Sequence, residues 1–214
     1  VPFEAGTPGR TGEMPGPGPA GEVTVKWQIA PGVGSIAASP VIASGTLFVG
    51  TTGVTADGSQ DGVFLAVDVQ TGQERWRLVT TGEFIWASAA YSDGMVFVAS
   101  GRYLDPHGTM RALDAVTGNV IWTFETASMI AGSPVVHEGL IYFGSDAVNP
   151  WFGEGGSLFA VDISSGKLRW ERSVAGNHRS PPVVDGNTIY QATDGGYLYA
   201  RDPASGQIKW QSAI

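Results

Sequence analysis

Three features of the sequence predict an all-β fold of four-stranded antiparallel blades set around an axis, a β-propeller. A phrase recurs four times: Asp, two variable positions, Thr or Ser, Gly, three more positions, Trp. Its tryptophans, Trp76, Trp122, Trp170 and Trp210, are spaced by 46, 48 and 40 residues. That period fits one four-stranded blade per repeat. The segments between are short runs rich in β-branched and aromatic residues, punctuated by Gly and Asp, with no helical periodicity.

The chain begins with a stretch that builds nothing regular. Residues 1–22 are rich in Gly and Pro, including Met14-Pro15-Gly16-Pro17-Gly18-Pro19. Proline has no N–H for a ladder and glycine favours the unfolded chain, so an extended linker is expected. Gly16, Gly18 and Gly21 match G-x-G-x-x-G in letters only. Prolines occupy the turn and no strand precedes it, which rules out a dinucleotide fingerprint.

Val23–Ile29 reads as an outer strand carrying Trp27. Four full repeats follow, at about 36–79, 86–125, 131–173 and 179–213, so that the propeller spans 23–214. The third shows the plan most clearly. Ser133-Pro134-Val135-Val136 opens it, Gly139 turns into Leu140–Gly144, Ser157–Asp162 forms the third strand, and Gly166 turns into Lys167–Trp170.

Each repeated position has a mechanical reason. The carboxylates of Asp68, Asp114, Asp162 and Asp202 can accept N–H groups two and three residues on. Gly72, Gly118, Gly166 and Gly206 then supply the positive φ that leads into the outer strand. Alanine in the third strand leaves room for the neighbouring sheet. Trp27, Trp76, Trp122, Trp170 and Trp210 are expected to wedge between blades, each with a partner for its indole N–H.

This arrangement resembles the repeats of the pyrroloquinoline quinone (PQQ)-type β-propellers, G-x-L-x-A-x-D-x-x-T-G-x-x-x-W, over nearly everything outside the linker. The resemblance implies a seven- or eight-bladed ring. It admits quinoprotein dehydrogenases, the propeller lipoprotein of the outer-membrane β-barrel assembly machine, and secreted or kinase-linked propellers. Strand arithmetic adds a complication: four sets of inner strands face five outer ones. Three arrangements accommodate the surplus. The chain is part of a larger ring, copies exchange the first strand, or that strand packs as a lone edge.

Composition excludes several classes. A net charge of −8 with no basic stripe argues against nucleic acid and against anionic membrane surfaces. Cysteine is absent, removing disulfides and thiolate chemistry. No apolar run is long enough for a transmembrane helix. Low charge, no Cys and a start at Val1 suggest an exported, bacterial-type protein in the periplasm, at the cell surface or outside the cell.

Function is expected on one face. The turns Ser44-Gly45, Asp93-Gly94, Glu138-Gly139 and Asp185-Gly186 are tight, as are the D-x-x-T/S-G turns. All variation in length falls on loops at the opposite face, where the scaffold imposes least. Trp86, Arg102, Tyr103, His107, Trp151, Phe152, His178 and Arg179 are the candidate contact residues there, being of the types that anchor interfaces.

Asp57 and Asp61 lie in an oxygen-rich turn that lacks the bidentate Glu of a Ca²⁺ loop. Asp105, Asp146, Asn149, Glu154 and Asn177 offer oxygens for a Ca²⁺ beside a quinone, without defining spacing. His107, His137 and His178 lack zinc-ligand spacing. The reading is a noncatalytic scaffold with no cofactor, binding a protein, glycan or sister subunit, in one version within an extracellular assembly. The alternative is half of a PQQ- and Ca²⁺-dependent dehydrogenase.

Overall fold

The computed structural model describes residues 21–32, 34–53, 61–102, 107–146 and 155–214. Sixteen strands form four sheets, each an antiparallel meander in chain order. The first sheet is β1 (Val41–Ala43), β2 (Thr46–Gly50), β3 (Gly62–Asp68) and β4 (Glu74–Thr80). The second is β5 (Ala90–Ser92), β6 (Met95–Gly101), β7 (Gly108–Asp114) and β8 (Val120–Thr126). β9 (Val135–His137), β10 (Leu140–Gly144), β11 (Ser157–Asp162) and β12 (Leu168–Ser173) make the third. β13 (Val183–Asp185), β14 (Thr188–Thr193), β15 (Tyr197–Arg201) and β16 (Ile208–Ala213) complete the fourth. The short first strands touch one another in the order β1, β5, β9, β13, so they line the axis and the fourth strands lie outermost.

Sheets pack face to face through apolar side chains. Phe48, Phe64 and Ala66 of the first sheet meet Val96, Val98 and Leu113 of the second. Phe97, Met110 and Trp122 meet Ile141, Phe143 and Phe159 of the third. Tyr142, Leu158 and Trp170 meet Ile189 of the fourth.

The repeated tryptophan links each blade to the next. The Trp122 indole N–H donates to Ile163 O at 2.8 Å, and that of Trp170 to Pro203 O at 2.9 Å. Trp76 reaches Ala115 O at 3.1 Å, and Trp27 reaches Val69 O at 2.9 Å. Every acceptor is the residue after the turn aspartate of the following repeat. The turn glycine receives the ring: a Cβ on Gly166 would sit 2.8 Å from Trp122. The same positions at Gly72, Gly118 and Gly206 are equally closed, and all four have φ between 68° and 75°. Glycine is thus required twice over, by backbone conformation and by contact.

Within its own sheet each tryptophan lies opposite an alanine: Ala66 faces Trp76, Ala112 Trp122, Ala160 Trp170 and Ala200 Trp210. A register shift follows immediately in all four pairs, a β-bulge that bends the outer strand as it leaves the turn. The turn itself is tied by its aspartate. Asp68 Oδ1 accepts from Gln70 N and Thr71 N, both at 2.9 Å, and Asp114 and Asp162 do the same one and two repeats on.

One expectation needs correction. Val23–Ile29 joins no ladder among the described residues, because the chain offers it no inner strands of its own to pair with. Trp27 nevertheless caps the first blade as the other tryptophans cap theirs. Trp210 lies tilted against Tyr190, with ring centroids 6.1 Å apart, and is 46% exposed, and β16 is exposed along its whole length. A smaller shift concerns the first hairpins. Ser44-Gly45, Asp93-Gly94 and Glu138-Gly139 have positive φ at both positions, a type I′ turn. In the fourth blade the two linking residues are Gly186 and Asn187, one place later than expected.

Replacing Trp122 by Ala is expected to cost about 3–5 kcal/mol, since a buried ring and its hydrogen bond are lost together. Trp210→Ala should cost about 1 kcal/mol or less, as an exposed substitution does. Urea unfolding of the two variants checks this, and equal losses would mean that the wedge role does not depend on a following turn.

Candidate functional site

The longer loops and the blade-to-blade crossings emerge together at one end of the sheets, stitched by backbone hydrogen bonds. Gly62 N donates to Glu83 O at 2.8 Å, Asp146 N to Met129 O at 2.8 Å, and Gly156 N to Gly176 O at 2.8 Å. Between β14 and β15 the link is only Asp194–Gly196, so the fourth blade has almost no loop on this face.

Around the first two blades the side chains form a charged cluster. Glu83 is buried yet accepts from Ser100 Oγ at 2.7 Å, Thr109 Oγ1 at 2.9 Å and Arg111 Nη2 at 2.9 Å. His107 Nε2 lies 3.0 Å from Glu83 Oε1, with its ring partly exposed. Burial works against ionisation of Glu83, but the hydroxyl bonds and Arg111 outweigh it and hold the carboxyl below its usual range. Trp86 is more than a third exposed and packs edge-on against Phe84, with centroids 5.6 Å apart. Exposed Arg102 lies beside Gly82, whose N–H donates to Asp61 Oδ1 at 2.8 Å. Asp61 therefore ties a loop to a crossing. Tyr103, Trp151, Phe152 and Asp57 lie outside the described residues, as do Asp105, Asn149 and Glu154.

The structure separates His178 from the other candidates. It is 1% exposed, its ring packed against Gly144 and hydrogen-bonded to Gln191. It fills the inter-blade position that Ile85 and Ile130 fill earlier, and so cannot meet a partner at the surface. Burial, with Arg201 nearby, lowers its pKa to about 3, against a smaller opposing pull from Asp194. Arg179, the next residue, is exposed, with Nε 3.5 Å from Asp146 Oδ2. Asn177 donates to Asp194 through its backbone N at 2.5 Å and its side-chain amide at 2.7 Å.

Glu83, Arg111, Gln191 and Arg201 were not singled out from the sequence. The signal was available in the repeat: Arg111 stands where the other copies have Leu65, Phe159 and Tyr199. Gln191 and Arg201 likewise replace apolar residues of the first three blades. The fit to a quinone with Ca²⁺ is poor in the described residues. No three His, Asp or Glu side chains are gathered there to hold a metal, and Asp146 and Asn177 are engaged with different partners. No step through such a group is derived.

A family model described as outer membrane protein assembly factor BamB matches residues 20–211. The chain belongs to the PQQ-repeat β-propeller family. Among curated relatives, the quinoprotein alcohol dehydrogenase PedH of Pseudomonas putida is 30% identical over 117 residues, covering 51% of this chain and 18% of PedH. The assembly factor BamB of Nitrosomonas eutropha is 31% identical over 103 residues, 48% of this chain and 22% of the relative. A europium-containing methanol dehydrogenase shares the fold with a TM-score of 0.71 at 16% identity, over 89% of this chain and 44% of that one. The chain thus matches about a fifth of the length of these curated relatives and under half of the solved enzyme. No helix among the described residues is long and apolar enough to cross a membrane.

In this propeller the neutral His178 ring is what the fold accommodates. The unfolded chain takes up a proton near pH 6.5, whereas the folded chain resists until about pH 3. The contribution is complete above pH 6.5 and is lost progressively as pH falls towards 3. His178→Ile, copying Ile85, should flatten the stability profile between pH 7 and 4.5 by on the order of 2 kcal/mol. Urea midpoints at the two pH values measure it, and an unchanged slope would exclude His178 as its source.

Proposed function

We propose that this chain is a noncatalytic, exported propeller scaffold that binds a protein partner through its loop-bearing face. One observation carries the reading: the two faces differ in kind. On one, four similar aspartate turns and two-residue hairpins repeat from blade to blade. On the other, loop lengths differ from blade to blade, and exposed Trp86, Arg102 and Arg179 project from the crossings and loops at this end. A rigid frame with unlike side chains at one end suits recognition of a specific surface. The match to a family named for an assembly factor supports a role in binding.

The second reading, part of a PQQ-dependent dehydrogenase, is supported by the similarity to PedH and to the methanol dehydrogenase. The described residues supply no metal-binding group to strengthen it.

A photo-crosslinking amino acid at Trp86 or Arg102 should give protein adducts in cells of the source organism. The same probe at Asp93 or Ser164, on the tight-turn face, should give few. An adduct at twice the chain's own mass identifies a sister subunit as the partner. Equal labelling from both faces counts against the scaffold reading. Dye reduction with alcohol after adding PQQ and Ca²⁺ to the purified protein would replace it with the dehydrogenase.

A further inference from the structure

Two segments of the chain share nearly the same four residues. Val25-Lys26-Trp27-Gln28 precedes the first blade, and Ile208-Lys209-Trp210-Gln211 lies in β16. The outer strands between them differ on both sides of the tryptophan: Arg75-Trp76-Arg77, Ile121-Trp122-Thr123 and Arg169-Trp170-Glu171. The first of the matching segments occupies a seat on the first blade. Its indole donates to Val69 O at 2.9 Å, and Lys26 Nζ donates to Gln70 Oε1 at 2.7 Å. Trp27 and Ile29 pack over Val49, Leu65 and Val67. No ladder holds this segment in place, whereas Trp76, Trp122 and Trp170 are carried to their seats by strands of complete sheets.

The second segment is presented on a face already shaped for such a seat. In the third blade the rings of Tyr142 and Trp170 lie 5.8 Å apart at 40°, and their O–H and indole N–H both donate to Pro203 O of the fourth. Tyr190 and Trp210 repeat that pair in the fourth blade, 6.1 Å apart at 54°. Tyr142 and Trp170 are buried, but Tyr190 is half-buried and Trp210 nearly half exposed. The complement of this pair is one carbonyl oxygen beside an aliphatic wall. The first blade has both. Val69 O stands where Pro203 O stands in the fourth, and Val49 and Val67 hold the places of Val98 and Leu113, on which Phe48 and Trp76 rest.

We infer that the fourth blade of one copy docks on the first blade of a second copy, with Trp210 and Tyr190 on Val69 O, and that Val23–Ile29 is a plug competing for the same seat. The occupant is a second copy because the seat already holds the residues of β16, in the order Lys-Trp-Gln. The plug belongs to the same chain and so holds the seat at low concentration. A docking blade brings a whole sheet face in place of two side chains, buries more apolar surface, and prevails as concentration rises. The two faces differ, so the contact is heterologous. This surface is separate from the loop-bearing face and does not depend on the scaffold reading.

The test is sedimentation velocity of the intact chain over a range of concentrations. Trp27→Ala, which empties the seat, should tighten self-association about tenfold, because the binding-competent fraction rises. Adding Trp210→Ala should abolish that gain, and adding Tyr190→Phe, which removes only the hydroxyl, should reverse it in part. The chain has no cysteine, so single cysteines report the contact directly. Lys209 takes the place of Lys26 beside Gln70 in the docked pair. A mixture of Gln70→Cys and Lys209→Cys chains should therefore form a disulfide-linked pair on oxidation, and neither variant alone should. A Trp27→Ala chain that associates no more than the wild type, a gain that survives Trp210→Ala, or disulfides forming as readily within one variant would each overturn the assignment. Crosslinks from Trp86 or Arg102 at the loop face test the scaffold reading separately, whatever these variants show.

Discussion

The whole architecture rests on one contact: an indole from one repeat seated on the aspartate turn of the next. It satisfies a polar N–H and fills the gap between diverging sheets in one step. It also imposes most of the repeated sequence. The turn needs its aspartate to tie N–H groups, its glycine to accept the ring, and an alanine across the sheet to make space for the bulky side chain. Because these requirements are local, the frame can be repeated with little change while everything at the opposite end is free to vary.

That division of labour explains why structure and activity separate so cleanly in this family. The chain matches named dehydrogenases and named assembly factors at comparable identity. What those relatives share with it is the frame, and the frame is indifferent to the chemistry built on its loops. Polar residues inside the frame tell a related story. Arg111 of the Glu83 cluster, and Gln191 and Arg201 in the fourth blade, sit where other blades are apolar, and His178 takes the place of Ile85 and Ile130. They make individual blade junctions unlike one another without altering the strand order.

The fold was largely legible in the sequence because it is written four times over, and each copy could be checked against its neighbours. Asp162, Gly166 and Trp170 announce a turn and a wedge by type and spacing alone. The first outer strand was misjudged because Val23–Ile29 has the pattern of a strand, and a pattern does not supply a partner. His178 looked like a surface residue because its neighbours Asn177 and Arg179 are polar. Only its registration with Ile85 and Ile130 reveals that it faces inward.

The indole contact also gives the row of blades a polarity. Each repeat gives a tryptophan forward and accepts one from behind, so the two extremities of the row are chemically opposite. At one, the segment bearing Trp27 plugs the receiving turn without belonging to any sheet. At the other, Trp210 stands as a donor, half exposed beside Tyr190. Blades of this type can therefore be added in one orientation only, and a join made head to head would place two rings, or two turns, against each other with nothing to exchange.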